Sequence, residues 1–247
     1  MRYFGLIGKP LVHSFSQRYF TQKFQEESID AAYGLYELDK IEDLKQLCQQ
    51  KSFSGLNVTI PYKQSVLPYL SEFDETARAV GAVNVIKFVR RSGEVVLKGY
   101  NSDVIGFHDS LVPLLRPYHK RALVFGTGGA SKAVEYVLSR LGIEVQLVSR
   151  QAKDSVLSYE QITPEVLQSY QLLVNATPLG TFPHVDTCVD IPYQNITNKH
   201  LLYDLVYNPQ ETLFLRHGKE RGAQVMNGYA MLRGQAEAAW EIWNKQE

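Results

Sequence analysis

A chain of 247 residues with 26 Lys+Arg against 26 Asp+Glu carries no formal net charge, and no block of like charge stands out. That balance excludes an electrostatic binder of nucleic acid or anionic membrane, and no apolar run approaches the length of a membrane span. Met1 opens no charged-then-apolar leader, and the two cysteines, Cys48 and Cys188, have neither metal-ligand nor redox-pair spacing. The chain reads as a soluble cytoplasmic α/β protein with plain thiols and no metal site, long enough for one large or two smaller domains.

The predicted elements alternate along the chain. Tyr3–Ile7 is a strand, followed by Gly8-Lys9-Pro10 and a helix from about Ser16 to Glu27. Ala32–Leu38 is the next strand, and Ile41, Leu44, Leu47 and Cys48 share one helical face. The stretch S-G-L-N-V-T-I-P-Y-K, residues 54–63, begins as a strand and is expected to end at Pro61. Its polar Asn57 and Thr59, with Lys63 just beyond, point to chemistry, because ligands sit at the carboxyl ends of strands in open α/β sheets. Val83–Val89 and Glu94–Tyr100 read as an antiparallel hairpin across Arg91-Ser92-Gly93. From Asp103 a helix with Phe107, Leu111, Leu114 and Leu115 on one side is expected to run to Pro117.

A second unit then begins. Ala122–Phe125 is a short apolar strand, Gly126-Thr127-Gly128-Gly129-Ala130-Ser131 a glycine turn, and Ala133–Leu141 a helix. Strands follow at Val145–Val148, Leu172–Val174 and Leu201–Val206, and a last helix spans about Tyr229 to Lys245. Strands alternating with helices predict a mainly parallel sheet. A glycine turn between strand and helix lets backbone N–H groups approach a diphosphate at the helix N-terminus. The fingerprint is incomplete, since Ser131 holds the third glycine position, and a bare tight turn is the competing reading. At the end of the second strand, where an acid would hold a ribose diol, stand Ser149 and Arg150, with Lys153 close by. A hydroxyl and two cations suit a ribose 2′-phosphate, which favours NADP over NAD.

Eight motifs in order carry a resemblance. They are G-K-P-L-V-H-S-F-S at 8–16, N-V-T-I-P-Y-K at 57–63, G-A-V-N at 81–84, N-S-D at 101–103, G-T-G-G-A-S at 126–131, N-A-T-P-L-G at 175–180, Y-N-P at 207–209 and N-G-Y-A-M-L at 227–232. The chain resembles the shikimate dehydrogenase family along almost its full length. The resemblance implies an α/β fold with an N-terminal substrate domain, residues 1–102 plus 228–247, and a Rossmann-like NADP-binding domain, residues 103–227, with the active site in the interdomain cleft. It implies reversible NADPH-dependent reduction of 3-dehydroshikimate to shikimate, on the route to aromatic amino acids, by a monomer or homodimer.

The resemblance also gives the motif residues roles. Ser14 and Ser16 would hold the substrate carboxylate; read alone, Ser16 is a helix N-cap. Thr59, Asn84, Tyr207 and Gln235 would contact the ring hydroxyls, a task suited to groups that both donate and accept. Lys63 and Asp103 would be catalytic and touch the substrate, with the lysine ammonium positioned to exchange a proton with the reacting oxygen. Read alone, Asp103 is an N-cap and Lys63 a solvated cation. Gly126, Thr127, Gly128, Gly129, Ala130 and Ser131 would cradle the diphosphate of NADP(H), and Ser149, Arg150 and Lys153 the adenosine phosphate. Asn175, Thr177, Leu205, Gly228 and Glu75 would border the cofactor. The chain departs from the family pattern at Gln17, Tyr19-Phe20, Tyr100 and Gln151. A quinate/shikimate dehydrogenase tolerant of NAD, a methylenetetrahydrofolate-dehydrogenase-like enzyme and a non-catalytic sensor are the other readings of the same sequence.

Overall fold

The computed structural model describes residues 1–11 and 14–246; Val12 and His13, inside the first of the motifs, lie outside the described residues. The chain divides into two compact units, Met1–Ser102 with Gln235–Glu247, and Asp103–Gly234.

The first unit is built on β1 (Arg2–Gly8), α1 (Phe15–Glu26), β2 (Ala31–Glu37), α2 (Asp43–Gln50), β3 (Gly55–Val58), α3 (Tyr62–Ser65), β4 (Glu72–Phe73), α4 (Glu75–Val80), β5 (Val85–Arg91) and β6 (Glu94–Tyr100). Its six-stranded sheet runs in the order β2-β1-β3-β5-β6-β4. β1 lies parallel to β2 and β3, while β5 is antiparallel to both β3 and β6. Both faces of β1 are covered. Phe4 and Leu6 join Phe20, Phe24 and Trp243 on one side, and Ile7 joins Leu44, Phe53 and Leu56 on the other. That double burial explains why the strand reads as an apolar run rather than an alternation. The Trp243 indole donates to the Ile86 carbonyl at 3.1 Å and lies where a side chain at Gly55 would stand, 2.2 Å from its Cβ position.

The second unit contains α5 (Asp103–Leu111), β7 (Arg121–Phe125), α6 (Gly129–Arg140), β8 (Glu144–Ser149), β9 (Leu157–Ser158), α7 (Pro164–Ser169), β10 (Leu172–Asn175), β11 (Leu201–Asp204), α8 (Leu213–Glu220) and β12 (Gln224–Met226). The division between the units falls inside the last helix, α9 (Tyr229–Asn244). The sheet runs β12-β11-β10-β7-β8-β9 with every pairing parallel. This is the doubly wound order of dinucleotide-binding folds, reversing direction between β7 and β10. Clusters around Phe125, Leu173 and Phe214 and around Val124, Leu138 and Tyr203 cover its two faces.

Three local expectations need correcting. The helix from Asp103 stops at Leu111 and tightens into a 3-10 turn over Val112–Leu114, well short of Pro117. Pro113 is the cause, since it brings no N–H and its ring crowds the carbonyl four residues back. The N-cap of α1 is Ser14, whose Oγ accepts from the Gln17 N–H at 3.2 Å; Ser16 lies within the first turn. The β3 ladder ends at Val58 rather than at Pro61, and Thr59 opens a turn whose carbonyl accepts from the Tyr62 N–H at 2.9 Å.

Candidate active site

In the first unit, parallel pairing of β1 and β3 brings their carboxyl ends to one edge of the sheet, and antiparallel pairing adds the start of β5 and the end of β6. Gly8, Thr59, Asn84 and Ser102 therefore gather at that edge by topology. The Thr59 N–H donates to the Ile7 carbonyl at 2.9 Å and the Lys9 N–H to the Ile60 carbonyl at 3.0 Å. A Cβ on Gly8 would stand 2.4 Å from the Thr59 Cγ2, so only glycine lets Thr59 occupy its place. Lys63 sits half-buried in α3, and its carbonyl accepts from the Val83 N–H at 2.7 Å, which ties this short helix to the segment carrying Asn84.

A buried polar chain runs through the same edge. Tyr33 donates from its Oη to Asn57 Oδ1 at 2.7 Å. Burial pushes the Tyr33 phenol well above its usual value. The Asn57 amide reaches the Asn84 carbonyl at 3.4 Å. Asn84 in turn donates from Nδ2 to Ser102 Oγ at 3.0 Å and to Gln235 Oε1 at 3.3 Å, while its Oδ1 accepts from the Ser102 N–H at 2.7 Å. Asn84 and Gln235, expected from distant parts of the chain, thus share one network. Asn57 does not face outward as its sequence position suggested; it is 4 % exposed and serves as an internal link. Asp103, the buried first residue of α5, follows directly on Ser102.

In the second unit the glycine turn follows β7 and the Asn175–Thr177 segment follows β10, the two strands that flank the reversal of strand order. The Ala176 N–H donates to the Phe125 carbonyl at 2.9 Å. Gly126 takes a φ of +107°, and a Cβ there would meet the Ala176 carbonyl oxygen at 3.0 Å. Over Gly128 the space is open: a Cβ would meet nothing within 4 Å. Behind it starts α6, whose first-turn N–H groups have no partner within the helix. Ser131 is buried and donates to the Gly128 carbonyl at 2.7 Å, which braces the turn from within.

At the end of β8, Ser149 Oγ donates to the Gln151 carbonyl at 2.6 Å, and Arg150 and Lys153 are exposed. Leu205 and Tyr207 follow β11, and Gly228 follows β12. The Gly228 N–H donates to the Val206 carbonyl at 3.0 Å. All these residues sit at the carboxyl edge of the parallel sheet. Glu75 belongs to the first unit, exposed in the first turn of α4, where a carboxylate complements the helix dipole.

Asn175 gives its segment its shape. Its Oδ1 accepts from the Thr177 N–H at 3.0 Å and the Thr177 hydroxyl at 2.6 Å, and its Nδ2 donates to Asp204 Oδ1 at 2.9 Å. Asp204, fully buried at the end of β11, was not singled out by its sequence. Burial pushes its carboxyl up to about 6, against the pull of its bonds with Thr212, Val206 and Asn175. Ser102 likewise has no role assigned by its motif, and Asn57, expected to face substrate, is the internal link of the network. The only signal that could have found these three is polarity at strand ends.

A doubly wound parallel sheet with a glycine turn at its switch point, joined in one chain to a mixed α/β unit with a polyol-type polar edge, defines a two-unit α/β dehydrogenase class. Residues 6–86 match the family model described as the shikimate dehydrogenase substrate binding domain. A curated relative from Clostridium beijerinckii, named shikimate dehydrogenase (NADP(+)), is 39 % identical, with 99 % of this chain and 93 % of that protein covered. The crystal structure of shikimate dehydrogenase from Aquifex aeolicus superposes with a TM-score of 0.86 at 32 % identity, covering 99 % of this chain and 92 % of the other. That of shikimate 5-dehydrogenase from Thermus thermophilus, in complex with NADP(H) and shikimate, gives 0.84 at 29 % identity, covering 99 % and 94 %. The chain belongs to the shikimate dehydrogenase family.

Proposed function

We propose that this protein catalyses the reversible, NADPH-dependent reduction of 3-dehydroshikimate to shikimate. The observation that carries the reading is the hydrogen-bonded chain Tyr33–Asn57–Asn84–Ser102–Gln235, which sets hydroxyl and amide groups beside Thr59 and Lys63 along one sheet edge. Groups that both donate and accept suit a ring bearing several hydroxyls, and Ser14 at the N-cap and Ser16 in the first turn of a 12-residue helix suit its carboxylate.

The second unit fits a dinucleotide. Gly126 makes the turn with its positive φ, Gly128 leaves open space before the N-terminus of α6 for a diphosphate, and Arg150 and Lys153 stand exposed where a 2′-phosphate would need cations. Asn175, Thr177, Leu205 and Gly228 line the same edge. When bound, the dinucleotide supplies or accepts the hydride. In reduction, the Lys63 ammonium hydrogen-bonds the substrate carbonyl oxygen, stabilises the negative charge that develops there and gives it a proton, becoming a neutral amine. In oxidation, the amine takes the hydroxyl proton back. Asp103 is the carboxylate partner of this exchange. The reading carries with it a cytoplasmic monomer or homodimer; among the described residues no helix is long and apolar enough to cross a membrane.

Following absorbance at 340 nm tests this directly. Shikimate with NADP+ should be the best pair, ahead of shikimate with NAD+, quinate with either cofactor, and methylenetetrahydrofolate with NADP+. Preference for any of those alternatives, or no turnover at all, would reject the reading.

A further inference from the structure

We propose that Asp204 is a positioning residue of the nucleotide site, a buried carboxylate that orients the Asn175 amide and through it the segment from Asn175 to Gly180. The inference rests on the assignment of that segment to the cofactor.

The geometry begins with register. β10 and β11 pair in parallel with Asn175 opposite Asp204, so the last residues of the two strands lie side by side. Asn175 is fully buried between its neighbours, and nothing in its shape tells the amide which way round to sit. Asp204 decides it. An ionised carboxylate only accepts hydrogen bonds, so it must face the Asn175 NH2 group, which donates to Oδ1 at 2.9 Å. The Asn175 oxygen is thereby turned toward Thr177, whose N–H and hydroxyl it accepts at 3.0 and 2.6 Å. The Thr177 oxygen in turn accepts from the Leu179 N–H at 3.2 Å, and Asn175 Nδ2 also reaches the Leu179 carbonyl at 3.3 Å. One carboxylate is thus linked through Asn175 to the Thr177 N–H and hydroxyl and, through Thr177, to the Leu179 N–H.

The same carboxylate is held from two further sides. Its Oδ1 also accepts from the Val206 N–H at 3.0 Å, and its Oδ2 accepts from the Thr212 hydroxyl at 2.5 Å. These bonds fix Asp204 itself, so that it presents a rigid acceptor to Asn175. With alanine at 204 the Asn175 NH2 would keep only the longer bond to the Leu179 carbonyl at 3.3 Å, and the amide would hold the turn less firmly.

A double-mutant cycle on NADP+ affinity, read by calorimetry with shikimate affinity measured beside it, separates positioning from simple support of the fold. Asp204→Ala and Asn175→Ala are each expected to raise the NADP+ Kd about tenfold, and the double variant to be no worse than about tenfold, because both changes undo one arrangement. Shikimate Kd should change less, by about twofold, since Ser14, Ser16, Thr59, Lys63, Asn84 and Gln235 lie in the first unit and only Asp103 and Tyr207 in the second. Asp204→Asn keeps an acceptor for the Asn175 amide and should recover most of the loss. Should Asp204→Ala fail to fold, Asp204→Asn takes its place in the cycle, with a rise of about threefold that again does not add to that of Asn175→Ala. Additive losses of about a hundredfold, an NADP+ Kd unchanged at position 204, or equal loss of both ligands would overturn the inference. Absence of NADP+ binding by the unaltered protein would instead reject the cofactor assignment.

Discussion

Gly228→Ala tests how closely the edge of the second sheet is built. A Cβ at this position would stand 2.1 Å from the Leu205 carbonyl oxygen and 2.5 Å from its carbonyl carbon. Both are backbone atoms, so no rotamer change relieves the contact, and the two segments must part by roughly an ångström to reach ordinary van der Waals distance. Three bonds resist that movement: Gly228 N–H to the Val206 carbonyl at 3.0 Å, Leu232 N–H to the Gly228 carbonyl at 2.9 Å, and Leu205 N–H to the Asn175 carbonyl at 2.9 Å. Overpacking of this kind costs about 1–3 kcal/mol. In a chain of this size each kcal/mol is about 2–4 °C of Tm, so a fall of about 2–12 °C is expected by thermal denaturation. Displacement of the cofactor edge by about an ångström should also lower kcat/KM for NADP+ by about 10²-fold. Shikimate affinity should change less, by about twofold, because most of the residues proposed to hold it belong to the other unit. A variant with unaltered Tm and kcat/KM would refute the reasoning.

Arg150→Ala should weaken NADP+ about 10–100-fold, the range for losing a charge-assisted bond, while leaving NAD+ nearly unchanged; equal loss of both would remove the 2′-phosphate assignment. Burial holds the His119 imidazole below its usual value of 6.5; its Nδ1 accepts from the Arg116 N–H at 3.0 Å and its Nε2 meets the Lys199 carbonyl at 3.2 Å. The folded protein therefore favours the neutral ring. This contribution to stability is complete above about pH 6.5 and is lost as pH falls through the lowered value. Asp204 works in the opposite sense, its carboxyl raised from 3.8 to about 6, so its contribution declines as pH rises through that interval. Tm of His119→Asn should accordingly approach that of the unaltered protein as pH falls from 7 to about 5. A constant difference over that interval would contradict the assignment.

Much of this molecule was legible before its structure. The glycine turn announced itself because only a strand, a tight turn and a helix together explain Gly126 and Gly128, and the hairpin over 85–100 followed from two extended runs around Ser92-Gly93. Pro113 was passed over because Phe107, Leu111, Leu114 and Leu115 continue a helical stripe across it, and periodicity outweighed a single breaker. Ser14 and Ser16 are chemically equivalent as caps, and only the observed start of α1 at Phe15 distinguishes them. Asp204 gave no signal because its partners are distant in sequence, Asn175 by 29 residues and Thr212 by 8. Asn57 misled for the same reason: its phenol partner, Tyr33, is 24 residues away, so an internal link looked like a residue facing substrate.

The most direct measurement is kcat of Lys63→Ala for shikimate oxidation, with the Kd of shikimate and of NADP+ determined on the same preparation. Loss of an acid–base group should lower kcat by about 10²–10⁴ while both ligands still bind within a few fold. Near-normal turnover in a variant that binds both ligands would contradict the role of Lys63 and with it the chemistry proposed for the site.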